Sequence, residues 1–299
     1  MSTDTNATVQ GTVQEESVKK QSSFREFLKR LAKNKLALFG GIVFLLICLI
    51  AIFAPLIAPY DYQAMDMSNK YLSPSLEHLF GTDQYGRDIF SRVIYGGRWS
   101  LTLGVASSIV STVLGIIVGS IAGYFGGKVD SVIMRFIDIL QCIPGILLTI
   151  CIASVLGTGL FNTVLAMSFG GIWGTARMLR GQILTVRNQE YVEAAKATNV
   201  SEARIIMKYV IPNSIQPIIV QACMGIGGTI MGAAGLSFLG LGIQPPMPEW
   251  GAMLNDGRSF LRYYPNMLFA PMIFIALTVM SISFFGDGLR DAMDPRLKE

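Results

Sequence analysis

Five stretches of this chain carry no charged residue: 36–60, 99–127, 139–176, 209–248 and 263–286. They constrain the fold more than any motif, because a helix of that length in water needs a polar face and these offer none. About 20 consecutive apolar residues carry a helix across the hydrocarbon core of a bilayer. The run 139–176 spans 38 residues, room for two crossings with Gly157-Thr158-Gly159 as the turn. The run 209–248 opens with Pro212 and Pro217 and closes with Pro245, Pro246 and Pro248, leaving one crossing between these breakers. The expected fold class is all-α, a polytopic membrane protein with six transmembrane helices. They are expected near 36–58, 99–124, 131–156, 160–178, 214–242 and 266–286.

Only 15% of the residues are charged, against about 25% in a soluble domain, so the position of each charge is informative. With six crossings and an inside N-terminus, 18 of the 24 Lys and Arg residues fall on the cytoplasmic side. Basic residues favour that side, which predicts that both termini are cytoplasmic. The polar segment 1–23 is expected to be a disordered cytoplasmic tail. In 24–35, Phe24, Phe27, Leu28 and Leu31 recur at helical spacing among Arg25, Lys29, Arg30, Lys33 and Lys35. That pattern predicts an amphipathic helix at the membrane interface or a cytosolic extension of the first crossing. Residues 59–98 form the expected extracytoplasmic loop. Residues 99–289 form a core of five crossings with a cytoplasmic loop at 188–212, and 290–299 a cytoplasmic tail.

Several functions are excluded. Cys48, Cys142, Cys151 and Cys223 lie in apolar runs without CxxC spacing, and His78 is the sole histidine, so no metal or catalytic residue is assigned. The nearest approach to a phosphate-binding loop, Ala122–Val129, lacks the first Gly and the final Ser/Thr that cradle phosphate and Mg²⁺. The chain is thus expected not to be an enzyme and not to hydrolyse ATP. No basic stripe with interleaved aromatics suggests nucleic acid. Asp138 is read as an orienting partner of Arg135 three residues earlier rather than as a proton relay.

Gly115, Gly119 and Gly123 recur every fourth residue, and Gly228 and Gly232 repeat the spacing. Such faces let helix backbones approach closely. In the outer loop, Gly81, Thr82, Asp83, Gly86, Arg87 and Asp88 combine turn residues with opposite charges. A loop brace is expected there, with contact to a binding protein as the alternative. Asp287, Arg290, Asp291 and Asp294 read as a helix stop with local salt bridges.

In the cytoplasmic loop, Glu190–Thr198 should be helical, Asn199 tolerates the left-handed conformation that ends a helix, Ser201 can cap a second helix, and Pro212 ends it. Ala194, Ala195 and Ala197 remove bulk while Glu190 and Glu193 supply charge, so this helix-turn-helix reads as a contact surface.

Glu193-Ala194-Ala195, Asn199 and Ile211-Pro212 resemble the "EAA" loop of permease subunits in bacterial ATP-binding-cassette importers, with Asn199 where that pattern has Gly. His78–Asp88, Ser91–Gly97, Leu236–Gly242, Pro245–Gly251 and Gly286–Pro295 are similar to segments of the dipeptide/oligopeptide/nickel group, the second or "C" permease above all. The resemblance implies a type I importer permease fold in the bacterial inner membrane. It implies that the 188–212 loop docks on a separate ATPase. It further implies a homologous second permease, two cytoplasmic ATP-binding subunits that hold ATP and Mg²⁺, and an extracytoplasmic substrate-binding protein. The expected function is half of a translocation pathway for dipeptides or oligopeptides, driven by ATP through alternating access. A nickel or other small-solute permease of the same group is the alternative. An ion-coupled secondary transporter would need buried carboxylates in 139–176 and 209–248, which have none.

Overall fold

A computed structural model describes residues 23–293. The disordered tail expected at 1–23 and the segment 294–299 lie, but for Ser23, outside the described residues.

Every regular element among the described residues is helical. It begins with α1 (Ser23–Lys33) and α2 (Lys35–Ile52), separated by Asn34, whose side chain caps α2 by accepting from the Ala37 amide at 3.1 Å. A short α3 (Ala54–Ile57) precedes the loop. The longest helix is α4 (Ile89–Phe125) at 37 residues, about 55 Å at 1.5 Å per residue. It starts ten residues before the expected crossing because Asp88 caps it, accepting from the Ser91 amide at 2.8 Å. Then come α5 (Gly127–Gln141), α6 (Gly145–Leu156) and α7 (Leu160–Val186). The next loop holds α8 (Glu190–Ala197), α9 (Glu202–Ile205), a π-helical turn at Ile206–Val210 and α10 (Ile211–Ser214). The chain closes with α11 (Gln216–Phe238), α12 (Trp250–Arg258) and α13 (Asn266–Met293).

Small residues set the packing. A side chain at Gly119 would strike the Ala176 carbonyl, Gly115 lies against Ile172 and Thr175, and Gly123 against Ile183, so α4 and α7 run parallel in close contact. Between α4 and α11, Gly104 meets Ile230 and Ser108 Oγ donates to the Ala222 carbonyl at 2.9 Å. Gly227 of α11 meets Val279 and Ile282 of α13, and Gly40 of α2 meets Ser281 and Phe284. The expected Gly228 has nothing within 4 Å of a built side chain, and Gly232 meets only the Met167 methyl. One residue rotates the helix face by about 100°, which makes Gly227 the contact glycine.

The span pattern departs from six uninterrupted crossings. Among the described residues four helices, α2, α4, α11 and α13, are long and apolar enough to cross a membrane. The expected crossing 131–156 is broken: α5 and α6 meet at 88°, where Pro144 supplies no N–H, and they make a fifth crossing only as a bent pair. The remaining expected crossing, 160–178, falls in α7, whose 27 residues include Arg177 and Arg180. Asp138 also differs from expectation. It accepts from Arg177 Nη2 at 2.7 Å, so its partner comes from the neighbouring helix rather than from Arg135 one turn away.

Asn34 of the α1–α2 junction donates to Asp291 of α13 at 3.4 Å, and α13 runs past the expected stop to Met293. The two ends of the described chain therefore share one end of the bundle. The parallel course of α4 and α7 places α8 there too. Residues 59–88 and α12 occupy the opposite end.

Candidate functional site

Two clusters hold the residues singled out by sequence, one at each end of α4. At the loop end, Gly81 and Gly86 adopt φ of +76° and +72°. A side chain there would collide with the Leu72 and Asp66 carbonyls respectively, so only glycine turns the chain this tightly. Between them Asp83 is buried and accepts from the Tyr85 and Arg87 amides at 2.8 and 3.0 Å. Its other oxygen takes Arg87 Nε at 2.6 Å and lies 3.7 Å from Arg92 Nε. Arg92 also donates to the Tyr62 carbonyl at 3.1 Å. Thr82 receives the Leu72 amide at 2.8 Å and donates to the Asn69 carbonyl. Asp88 holds Ser91 through both amide and hydroxyl and His78 Nδ1 at 3.0 Å. All six expected brace residues fall in one folded turn, which holds two side-chain groups, Asp83 with Arg87 and Arg92 and Asp88 with Ser91 and His78.

Three partners were not singled out. Arg92 completes the Asp83 pair. Asp256 of α12 shares a small void with Asp83 and Arg92; burial pushes its carboxyl above the usual range, against the pull of Arg92 and Arg87. Glu249, only 1% exposed, caps α12 by accepting from Gly251 and Ala252, each at 2.9 Å, and receives Ser100 Oγ at 3.0 Å. Trp250 Nε1 then donates to the Val93 carbonyl at 2.8 Å. The sequence signal available was a carboxylate directly before a helix start.

At the other end, α8 is amphipathic. Val192 and Ala195 are buried in a cluster with Leu179, Ile183, Ile205 and Val210. Glu190, Glu193 and Ala194 are exposed. The expected contact face is thus divided: Ala194 lies on it, and Ala195, one residue further round the helix, packs inward. Asn199 has φ of +60°. Its amide donates to the Lys196 carbonyl at 3.0 Å and the Val200 amide to the Ala195 carbonyl at 3.3 Å, which closes the helix C-terminus. Ser201 precedes α9 but makes no side-chain cap. Pro212 does not end a helix; it sits in the first turn of α10, after the π-helical turn.

Two ion pairs tie the α5–α7 region behind α8. Arg180 donates to both oxygens of Asp130, with Nε at 3.0 Å from Oδ1, beside the Arg177–Asp138 pair. Arg187 Nη1 donates to the Gly123 carbonyl at 2.8 Å, fixing the last turn of α4 to the entry of the α8 loop. Among the described residues no three His, Cys, Asp or Glu side chains gather as a metal site.

An all-helical bundle with four to five apolar spans, a braced loop at one end and a helix with exposed acids at the other defines a multi-span membrane protein. The chain belongs to the family of binding-protein-dependent transport system inner membrane components, which matches residues 115–299. Residues 22–74 match the N-terminal transmembrane domain of oligopeptide transport permease C. Among curated relatives, the dipeptide transport system permease protein DppC of Alkalihalophilus pseudofirmus is 45% identical over 93% of this chain and 91% of its own length. The oligopeptide permease OppC of Bacillus subtilis is 41% identical over 97% and 95%, and the glutathione permease GsiD of Pectobacterium atrosepticum 42% over 93% of each. An inward-facing structure of the MetNI methionine ABC transporter shares the fold, with TM-score 0.55 and 17% identity over 68% of this chain and 97% of that one.

Proposed function

We propose that this chain forms half of the translocation pathway of an ATP-driven importer of short peptides. On this reading α8 is the coupling helix. Its exposed Glu190, Glu193 and Ala194 face docks into a cytoplasmic ATPase subunit. Two such subunits bind ATP and Mg²⁺, a homologous second permease completes the pathway, and an extracytoplasmic binding protein delivers the peptide to the end that carries the brace. Closure of the ATPase pair on ATP moves α8 and switches the pathway between inward- and outward-open. The substrate class rests on the full-length similarity to dipeptide, oligopeptide and glutathione permeases.

The observation that carries the coupling role is the division of α8, with its apolar face fixed to α7 and its acidic face exposed. Six crossings with cytoplasmic ends are part of the proposal. The shared location of α2's start, α13's end and α8 supports an even count. The bent α5–α6 pair leaves α4 at Gly126 and delivers the chain to Leu160, which packs near Trp99, as a crossing would.

The test is ATP-dependent uptake by the complete complex in liposomes, with the ligand of the binding protein identified by mass spectrometry. Glu193→Ala is expected to lower peptide carried per ATP hydrolysed about tenfold or more, the worth of one charge-assisted contact. A nickel chelate as ligand would overturn the substrate class, and an unchanged ratio would remove Glu193 from the coupling.

A further inference from the structure

Two apolar-walled spaces open beside α13, and their linings differ in kind. The groove of about 380 Å³ between α1, α2 and α13 is lined by residues such as Leu38, Ile42, Leu45 and Phe285, a surface suited to lipid. The cavity of about 560 Å³ between the α8-end halves of α7, α11 and α13 is lined by Gln182, Asn213, Gln216 and Gln221, with Met178 and Met224 among them. Arg290 stands at its α13 wall, and no carboxylate among the described residues lines it. A guanidinium and amides with spare hydrogen-bonding capacity are costly against hydrocarbon, so this cavity faces a polar medium.

The amides are not spent equally. Gln216 Nε2 donates to the Met293 carbonyl and Asn213 Nδ2 to the Tyr209 carbonyl at 2.6 Å, which fixes the floor. Gln221 lines the cavity and is half-buried, while its Oε1 is turned inward and accepts nothing. A buried acceptor without a donor is a cost the fold does not need, and a half-turn about the last side-chain bond exchanges Oε1 with Nε2, which brings the oxygen to the cavity side where an N–H from elsewhere can meet it. The chemistry around it is unselective. Methionine side chains adapt to many shapes, and apart from Arg290 the lining is uncharged, so it sets few demands on a side chain.

Resting on the reading of this chain as a peptide permease, we propose that the cavity is the inner vestibule of the pathway. In it Gln221 accepts a hydrogen bond from a main-chain N–H of the passing peptide, Met178 and Met224 accommodate its side chains, and Arg290 meets its terminal carboxylate. A main-chain amide N–H is offered by short peptides whatever their side chains, proline excepted, so a single acceptor serves many sequences. A volume of this size falls within the range of small-ligand sites, and few polar contacts let a solute leave as readily as it enters. The floor residues Asn213 and Gln216 follow directly on the loop that carries α8, so displacement of α8 reshapes the vestibule.

The experiment uses the whole complex with its binding protein in liposomes, supplied with alanine peptides of two to five residues and with analogues N-methylated at one main-chain amide. Rates are compared at saturating liganded binding protein. The parent is expected to carry the best alanine peptide about fivefold faster than an analogue lacking the bonded N–H, the effect of one hydrogen bond. In Gln221→Leu, uptake of the unmodified peptide falls to the analogue's rate and the discrimination disappears. Because the substitution removes an unpaired buried oxygen, thermal stability of the complex stays the same or rises, which a structural role for Gln221 would not produce. As a second measurement, a photoreactive benzoylphenylalanine at the exposed position of Gln182 crosslinks labelled peptide during turnover, while one at the exposed position of Ile117 does not. A parent that carries no peptide overturns the peptide reading and the vestibule with it. A parent that carries peptides, with a Gln221→Leu variant that still discriminates or with no crosslink at position 182, overturns the vestibule alone.

Discussion

The two ends of α4 use charge in opposite ways. At the loop end, Asp83, Arg87, Asp88, Arg92 and Glu249 are all buried, and each carboxylate has its donors within the chain. At the α8 end, Glu190 and Glu193 are exposed, and what α8 buries is Val192 and Ala195. A charge network closed on itself fixes geometry and offers little to a partner. A helix that buries its apolar side and displays its acids is held in place and left open to contact. The difference separates a region that shapes the protein from a surface left open to a partner, and substitutions at the two ends should fail in different ways.

The largest effect is expected at Asp83. Asp83→Ala removes the carboxylate shared by Arg87 and Arg92 and leaves buried guanidinium groups uncompensated, a loss of about 3–5 kcal/mol. It should appear as a collapse in the thermal unfolding midpoint of the purified protein and in its membrane yield. Retention of parental stability would break the comparison at its stronger side. Next comes a neighbouring pair on α8. Ala195→Glu forces a charge into the cluster of Leu179, Ile183 and Ile205, and should destabilise by about 2–4 kcal/mol. Ala194→Glu, on the exposed face, should stay within about 0.5 kcal/mol of the parent yet lose ATPase co-purification. Equal behaviour of the two variants would show that α8 has no such division.

How much of this was legible in the sequence follows the same line. Charge-free runs located α2, α4, α11 and α13 because lipid imposes one rule on every residue of a crossing. They could not show the 88° break between α5 and α6, since Pro144 sits in a run as apolar as its neighbours. The brace was readable as a cluster because turn glycines and opposite charges lie within eight residues, at 81–88. Arg92 lies only nine positions from Asp83, but the extension by Asp256 and Glu249 was not readable, because Asp256 lies 173 positions from Asp83 and Glu249 149 from Ser100, and those contacts arise only when α12 folds onto α4. Likewise Asp138 has a plausible partner one turn away in Arg135, and only the packing of α5 on α7 supplies Arg177 instead. On α8, local pattern placed the helix and the turn at Asn199, but which alanine faces inward depends on where α7 and α9 lie.

A smaller effect is expected at Asp88, whose role divides between capping α4 and holding His78. Asp88→Ala should cost about 1–2 kcal/mol, the usual value of an N-cap. Asp88→Asn, which keeps one acceptor oxygen, should recover part of it. Chemical denaturation of the three proteins in detergent orders them. If Asp88→Ala matched Asp83→Ala, the cap and the ion pair would be one cooperative unit rather than two adjoining ones.

The smallest effect, and the finest test of the contrast, lies at Asn199. Its φ of +60° is tolerated by asparagine better than by other side-chain-bearing residues, yet still less well than by glycine. Asn199→Gly should therefore stabilise the loop locally by a few tenths of a kcal/mol, partly offset by the greater freedom of glycine in the unfolded chain. Asn199→Val, β-branched and unsuited to positive φ, should cost about 1–2 kcal/mol. Amide hydrogen exchange over 190–205 reads both changes directly, with slower exchange for glycine and faster exchange for valine. If the α8 loop transmits motion through a rigid turn, peptide carried per ATP should follow the same order, with valine lowest. A valine variant that frays the turn yet couples as well as the parent would mean that α8 is set by its apolar contacts with α7 alone, and that the left-handed turn serves only to reverse the chain.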